Sequence, residues 1–244
     1  MHRDPPGERA FLARSRYLDL KYSETRTPHG SYPQKLAQWL LDNVYGRTGS
    51  LLDIGSGRGD HLAAFAELGF DVTGVDIQAK SAELAGTFRV EIVDLDAEPL
   101  PFEPASFDFL FSKSVLEHLE NAASFLAEAR PVLRPGGTIA VFTPSWEHTY
   151  KRIFYSEYTH RRPFTRQSLA EALLLAGFED VRVRPFVQLP AVWERPFLLP
   201  AVRAVRALPL RYRPLDEARW PDGLNKLIRF SKEVVLLGTA RNPG

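Results

Sequence analysis

The sequence of 244 residues contains no cysteine. This absence excludes disulfide bonds, thiolate metal sites and a cysteine nucleophile. No run of about 18 apolar residues is present, so no membrane-spanning helix is expected. The opening residues, MHRDPPGERAF, contain no apolar segment of signal-peptide length. A cytoplasmic location is therefore the default expectation.

The net charge is also small, because 31 basic side chains nearly balance 30 acidic ones. A value of +1 gives the whole chain no strong attraction to nucleic acids or acidic membranes. The charges are unevenly placed, however, with acidic residues in the middle and arginines crowded into 195–219. The length suits one large domain or a domain with a sizeable insertion.

Short apolar runs alternate with helical patterns along most of the chain. Strands are predicted at 51–54, 71–77, 88–95, 107–114, 138–144, 178–186 and 232–241. Helices are predicted at 11–19, 33–44, 61–70, 115–133 and 165–176. This alternation predicts an α/β fold, a parallel sheet with helices on both faces. Segment 187–232 breaks the alternation, and a connection of that length is usually functional or disordered.

The strongest local signal is LLDIGSGRGD, in which a strand delivers Asp53 into a turn through Gly55, Ser56 and Gly57. Glycines let the chain turn tightly and let a ligand lie against the backbone. A dinucleotide fingerprint needs a third glycine where this chain has Asp60. A diphosphate binds free amides at a helix N-terminus, whereas a nucleoside carrying an amino acid needs a carboxylate for its ammonium group. Asp53 offers that carboxylate.

Further acids follow the next two predicted strands. Asp76, followed by Ile77, ends the second strand, where a carboxylate can accept both hydroxyls of a ribose. Asp94 and Leu95 follow the third strand and offer a carboxylate and an amide to the edge of adenine. Ser112, late in the fourth strand, is assigned to the same site. The crevice beyond the strand ends is the expected ligand position.

As a set, these segments resemble the class I, Rossmann-like S-adenosylmethionine-dependent methyltransferases. LLDIGSGRGD, IVDLDAEPLPF, FDFLFSKSVLEHL and VLRPGGTIAVFTP carry the resemblance, which covers about residues 35–180. It implies a seven-stranded sheet in the order 3-2-1-4-5-7-6 with the last strand antiparallel. It also implies S-adenosyl-L-methionine as cofactor and S-adenosylhomocysteine as product.

The resemblance divides the chain into three parts. Residues 1–45 form an N-terminal helical lid, 46–186 with 233–244 form the core, and 187–232 form an insertion between strands 6 and 7. The lid is expected to close over the cofactor and exclude water. Three uses compete for the insertion: a cap on the acceptor pocket, a homodimer interface, or peripheral membrane contact through 195–213.

His118 is the leading candidate for a catalytic general base, because its ordinary pKa near 6.5 suits proton transfer at neutral pH. The competing interpretation is a histidine that only packs or caps a helix start. Glu117 and His118 also resemble the pair of metal-assisted methyltransferases that act on RNA ends or catechols. His160, a second catalytic candidate, could complete a divalent-metal site with them. Ser114 occupies the position of a second glutamate in those enzymes, so the ligand set lacks one carboxylate.

Segment 155–166 is expected to border the acceptor, with Tyr158, Arg161 and Arg162 as substrate-binding candidates. A solvated charged loop is the alternative. The motifs EHL, HRRPFT and RFSKEVVLLGTAR resemble methyltransferases of polysaccharide and natural-product clusters, which implies a small-molecule or glycan acceptor such as a sugar hydroxyl. RNA methylation would need a continuous basic face, which the arginines of 195–219 could provide. Nucleic acid is nevertheless an unlikely partner, because the sequence has no recognised RNA-binding module and its net charge is near neutral. Methylation of nitrogen or carbon, and a non-catalytic cofactor-binding regulator, stay open.

Overall fold

The computed structural model describes residues 30–150, 154–211 and 223–244. The predicted helix at 11–19 and most of the predicted N-terminal lid lie outside the described residues. Within the described ranges, no helix combines the length and the apolar character needed to cross a bilayer.

Seven strands form one sheet, as predicted. They are β1 (Ser50–Ile54), β2 (Asp71–Asp76), β3 (Arg89–Ile92), β4 (Phe107–Lys113), β5 (Leu133–Pro144), β6 (Glu179–Phe186) and β7 (Val235–Arg241). Their order is β3-β2-β1-β4-β5-β7-β6. Strands β1 to β5 pair in parallel, whereas β7 is antiparallel to both β5 and β6. The fold class implied by the resemblance is therefore confirmed.

Helices cover both faces of this sheet. Five α-helices lie between β1 and β6 in the part of the chain that the structure describes. They are α2 (Asp60–Glu67), α3 (Ala79–Leu84), α4 (Ala122–Ala129), α5 (Trp146–Thr149) and α6 (Arg166–Leu175). Before β1 lies α1 (Tyr32–Leu40), which continues as a π-helical turn, Leu41–Tyr45. Thr165 caps α6 by accepting from the Ser168 amide at 3.1 Å, so the predicted start of that helix is confirmed.

The single long helix predicted at 115–133 is wrong. The structure has a 3₁₀ turn at Leu116–His118, then α4, then a second 3₁₀ turn at Arg130–Val132. Leu119 is extended, and the Asn121 side chain caps α4 by accepting from the Ser124 amide at 3.2 Å. An asparagine that satisfies the free amides of a new helix start competes with continuation of the old one. His118 consequently lies in a turn at the end of β4.

The segment between β6 and β7 forms α7 (Pro190–Glu194), a 3₁₀ turn (Pro196–Leu198), α8 (Leu199–Ala207) and α9 (Gly223–Lys232). Trp193 fastens its start to the core: Nε1 donates to the Val187 carbonyl at 2.7 Å, and the ring centroid lies 5.0 Å from that of Phe186. Helices α8 and α9 are tied together where Arg206 Nε donates to the Ser231 carbonyl at 2.7 Å.

The sheet separates two apolar cores. One, here called the α4–α6 face, contains Leu52 and Ile54 of β1 together with side chains of α4 and α6. The other, called the α1–α2 face, contains Leu51 together with side chains of α1 and α2. Because side chains alternate along a strand, Asp53 shares the α1–α2 face with Leu51. The carboxyl ends of β1, β2 and β4 meet at one edge, where the predicted site residues lie.

Candidate active site

The glycine turn after β1 is packed tightly against its neighbours. The amides of Gly55 and Ser56 both donate to the Val75 carbonyl, at 2.8 and 3.0 Å. Gly55 has a φ of 78°, and a Cβ added there would lie 2.2 Å from Val115 Cγ2. Only glycine therefore fits at this position without displacing a neighbour. The turn leads directly into α2, which begins after Gly59 with a φ of 80°.

Asp76 closes this turn from the end of β2. Its carboxylate accepts from the Gly57 amide at 2.8 Å and from the Gln78 amide at 2.9 Å. Burial raises the pKa of Asp76, and these hydrogen bonds partly oppose the rise. A diphosphate would need the Gly57 amide that Asp76 already engages. The geometry is therefore less suited to a dinucleotide than to a ligand read through carboxylates.

Asp53 is a buried carboxyl group beside the same turn, with only 2% of its surface exposed. Its Oδ2 atom has no hydrogen-bond partner among the described residues. Burial, with a smaller contribution from Asp76, raises the pKa of Asp53 to about 8. A buried carboxylate is costly unless a cation or donor reaches it. The ammonium group of an amino-acid ligand would satisfy Asp53, so this residue fits the cofactor that the resemblance implies.

The remaining predicted cofactor residues line the same edge. Ser112 lies opposite Ile54 in the β1–β4 register, and its buried Oγ also lacks a partner within the described ranges. Beyond β3, the Val93 amide donates to the Asp76 carbonyl at 2.9 Å, and Asp94 Oδ1 accepts from the Asp96 amide at 3.1 Å. Ile77 and Leu95 are half-buried. Their contacts with a cofactor stay predictions.

His118 and His160 lie together beyond the end of β4, with ring centroids 4.8 Å apart. The Nδ1 atom of His118 lies 3.2 Å from the Thr159 carbonyl, and that of His160 lies 2.8 Å from the Phe154 carbonyl. A carbonyl oxygen only accepts hydrogen bonds, so both neutral rings carry their proton on Nδ1. The lone pair is then on Nε2 in both residues. This is the tautomer that a base or a metal ligand needs.

Glu117 completes this cluster and is fully buried. Thr143 Oγ1 donates to its Oε2 at 2.9 Å, whereas Oε1 has no partner in the described part of the chain. Burial raises the pKa of Glu117 to about 7. One ligand atom each from Glu117, His118 and His160 lie within 4.8 Å of one another. The three residues of the alternative, metal-assisted interpretation are therefore brought together.

The predicted acceptor loop is held close to this cluster by its arginines. The amides of Arg161 and Arg162 donate to the Glu117 carbonyl at 2.8 and 3.1 Å. The Arg161 guanidinium forms an ion pair with Glu120, and Arg162 Nη2 donates to the Glu120 carbonyl at 2.6 Å. Tyr158 has 97% of its surface exposed. The arginines thus anchor the loop, and acceptor binding by these three residues stays a prediction.

The sequence interpretation missed a group of polar side chains on the α1–α2 face, here called the polar wall, which consists of Tyr32, His61, Lys113 and Gln188. Lys113, the last residue of β4, places Nζ 5.6 Å from the centroid of the Tyr32 ring. The Tyr32 hydroxyl donates to Gln188 Oε1 at 3.3 Å, and His61 packs edge-on against Tyr32. Burial lowers the pKa of Lys113 and lowers that of His61 to about 3. The alternation of FDFLFSK would have placed Lys113 on the face of Phe109 and Phe111.

Comparison with known proteins agrees with this geometry. Residues 52–141 match the methyltransferase domain family. An uncharacterized 37.1 kDa protein in transposon TN4556 of Streptomyces fradiae is 32% identical over 172 residues, or 62% of this chain. The ubiquinone biosynthesis O-methyltransferase of Paracidovorax citrulli is 34% identical over 134 residues, or 51% of this chain. The chain spans 49% and 55% of the lengths of these two relatives.

Solved structures show the same fold. An S-adenosylmethionine-dependent methyltransferase from Archaeoglobus fulgidus superposes with a TM-score of 0.62 at 20% identity, over 92% of this chain and 99% of that one. With the matched residues and the strand order, this defines the fold of the chain as the Rossmann-like fold of class I methyltransferases. Residues 52–141 are similar to the methyltransferase domain family, and the Archaeoglobus fulgidus protein of the same fold depends on S-adenosylmethionine.

Proposed function

We propose that the protein is an active methyltransferase that transfers the methyl group of S-adenosylmethionine to a hydroxyl group of a small polar acceptor. The observation that carries the proposal is the buried, unpartnered Asp53 Oδ2 beside the glycine turn. Asp53 would hold the ammonium group of the cofactor, Asp76 its ribose and Asp94 its adenine. When bound, the cofactor supplies a methyl group on a positively charged sulfur.

His118 is the proposed general base for the acceptor hydroxyl. Its Nδ1–H is directed to the Thr159 carbonyl, so Nε2 is the ring nitrogen that would accept a proton. The likeness to an O-methyltransferase of ubiquinone biosynthesis supports oxygen as the acceptor atom. A sugar hydroxyl in a glycan or natural product is the proposed acceptor, with Tyr158, Arg161 and Arg162 bordering it. This last step rests on the likeness of the loop sequence HRRPFTR to enzymes of those pathways.

The direct test is methyl transfer from radiolabelled S-adenosylmethionine to glycosides, phenols and RNA ends, with wild type beside His118→Ala. The variant should lose about a hundredfold or more of its turnover rate. Its affinity for S-adenosylhomocysteine, measured by calorimetry, should not change, because His118 acts on the acceptor. An undiminished rate would remove His118 as the base. Cofactor binding by wild type without turnover on any acceptor would favour the non-catalytic regulator.

A second candidate is metal-assisted O-methylation, which the convergence of Glu117, His118 and His160 favours. Two neutral imidazoles and one carboxylate suit a divalent transition metal. Both histidines donate through Nδ1 to carbonyl groups, an arrangement that orients metal-ligating imidazoles in many proteins. The position of a second carboxylate holds Ser114, which adopts an unusual φ of 59°.

Calorimetric titration with Mn²⁺ separates the two candidates. Saturable binding that is lost in His160→Ala, together with activity that EDTA abolishes and Mn²⁺ restores, would support the metal-assisted reaction. Full activity in EDTA would leave His118 to act as a base by itself. Glu117→Gln is a second test variant, because it keeps the shape of the side chain while weakening a proposed metal ligand.

The role of the insertion between β6 and β7 is a separate proposal. Phe197 is 76% exposed and Leu208 49% exposed, and Arg203 lies between them on α8. Basic side chains on α8, with exposed apolar side chains just before and after it, are compatible with a homodimer interface or with peripheral contact to an anionic membrane. Sedimentation velocity and vesicle co-sedimentation would distinguish these uses from a cap over the acceptor pocket.

A further inference from the structure

An acidic and a basic side chain share the α1–α2 face at the carboxyl end of the sheet. Asp53 of β1 lies opposite Phe111 of β4 in the parallel register, and Lys113 follows Phe111 by two residues. Because side chains alternate, Asp53, Phe111 and Lys113 project to the same face. Strand spacing and rise place the Asp53 and Lys113 Cα atoms roughly 8 Å apart. The long lysine side chain can span that distance.

The described groups around Lys113 compensate the positive charge of its ammonium group only in part. Its Nζ lies over the ring of Tyr32, whose hydroxyl is engaged with Gln188. His61, on the same wall, is neutral at physiological pH because burial lowers its pKa to about 3. Glu117 provides an opposing charge for Lys113, but one of its two carboxyl oxygens already accepts from Thr143 Oγ1 at 2.9 Å. An incoming anion would complete the compensation.

We propose that Lys113 binds the α-carboxylate of the cofactor while Asp53 binds its α-ammonium group. The proposal rests on the proposed function, in that the glycine turn is taken to bind S-adenosylmethionine. An amino acid is a zwitterion, and a face with one buried acidic group and one half-buried ammonium group is its electrostatic complement once Asp53 is ionised. Each protein charge is thereby paired, which offsets the cost of burying it. Lys113 is thus a cofactor-binding residue that contacts no acceptor.

Ligand truncation tests this assignment group by group. The probes are S-adenosylhomocysteine, a decarboxylated analogue that keeps the amine, and 5′-methylthioadenosine, which lacks the amino acid. By calorimetry, Lys113→Met should weaken S-adenosylhomocysteine about 10- to 100-fold and leave the other two probes unchanged. Asp53→Asn should weaken both amine-bearing probes and leave methylthioadenosine unchanged. Lys113→Arg, which keeps the charge, should recover most of the lost affinity.

Other results would overturn the proposal. Equal weakening of all three probes by Lys113→Met would assign Lys113 a structural role, and unchanged binding of S-adenosylhomocysteine would exclude a carboxylate contact. Lys226→Met is the matched control, because it removes the same charge from an exposed position of α9 and should not reproduce the carboxylate-selective loss. Should Lys113→Met fail to fold, the selectivity of Lys113→Gln among the three probes decides. Failure of the cofactor assignment itself is distinct, since wild type would then bind none of the three probes, whereas failure of methyl transfer alone would leave the selectivity among the probes unchanged.

Discussion

The high pKa of Asp53 predicts that cofactor binding releases a proton, on the proposal that Asp53 holds the ammonium group of the cofactor. In the free protein this carboxyl group is 2% exposed and has a pKa of about 8, so it is mostly protonated at pH 7. An ammonium group binds the carboxylate form and lowers the pKa of the bound state. Binding must therefore expel the proton. The sign follows directly: affinity for S-adenosylhomocysteine should rise as the pH increases toward about 8 and then level off.

The magnitude follows from the same value. With a pKa of about 8, about 0.9 proton per site should be released at pH 7 and about 0.1 at pH 9. Between pH 6 and 7 the affinity should rise about tenfold, because one proton is exchanged per binding event. Calorimetry in buffers of different ionisation enthalpy measures the released protons directly.

Asp53→Asn should bind more weakly, release no proton, and lose the pH dependence. Glu117→Gln is the control, since Glu117 also titrates near neutral pH and its removal should leave the proton release intact. Release of no proton by wild type at pH 7, with an affinity that is flat from pH 6 to 8, would refute the assignment of Asp53.

Two further predictions concern stability. Gly55→Ala should lower the free energy of unfolding by about 1–3 kcal/mol and reduce the melting temperature. The reason is that its new Cβ would lie 2.2 Å from Val115 Cγ2. An unchanged melting temperature would contradict the tight packing of this turn. Burial raises the pKa of Glu117 to about 7, so the native state holds a proton that the unfolded state loses. Wild type in EDTA should therefore lose stability from about pH 4.5 to pH 7 relative to Glu117→Gln, measured by urea unfolding, and parallel pH profiles would exclude this.

Local sequence determined much of the fold. The short apolar runs and glycine turns indicated the strands, because a buried parallel strand needs a continuous apolar segment and a turn needs backbone freedom. Asp53 and Asp76 could be assigned to one edge of the sheet, since parallel strands end on the same side. The local capping pattern at Thr165 predicted the start of its helix. The predicted strand order came from resemblance, and the structure has the same order.

Tertiary structure decided what depends on contacts between distant residues. Periodicity alone predicted one helix at 115–133, and the break before Asn121 became visible only with the cap it makes. Lys113 and His61 were missed because they are 52 residues apart in the chain. They become neighbours of one site only when α1, α2 and β4 pack together. The Nδ1 tautomers of His118 and His160 follow from carbonyl groups in a separate loop. The sequence thus determines which side chains reach the edge of the sheet. The burial and the hydrogen-bond partners of these side chains arise only in the folded chain, and they set the charge and protonation state of each group.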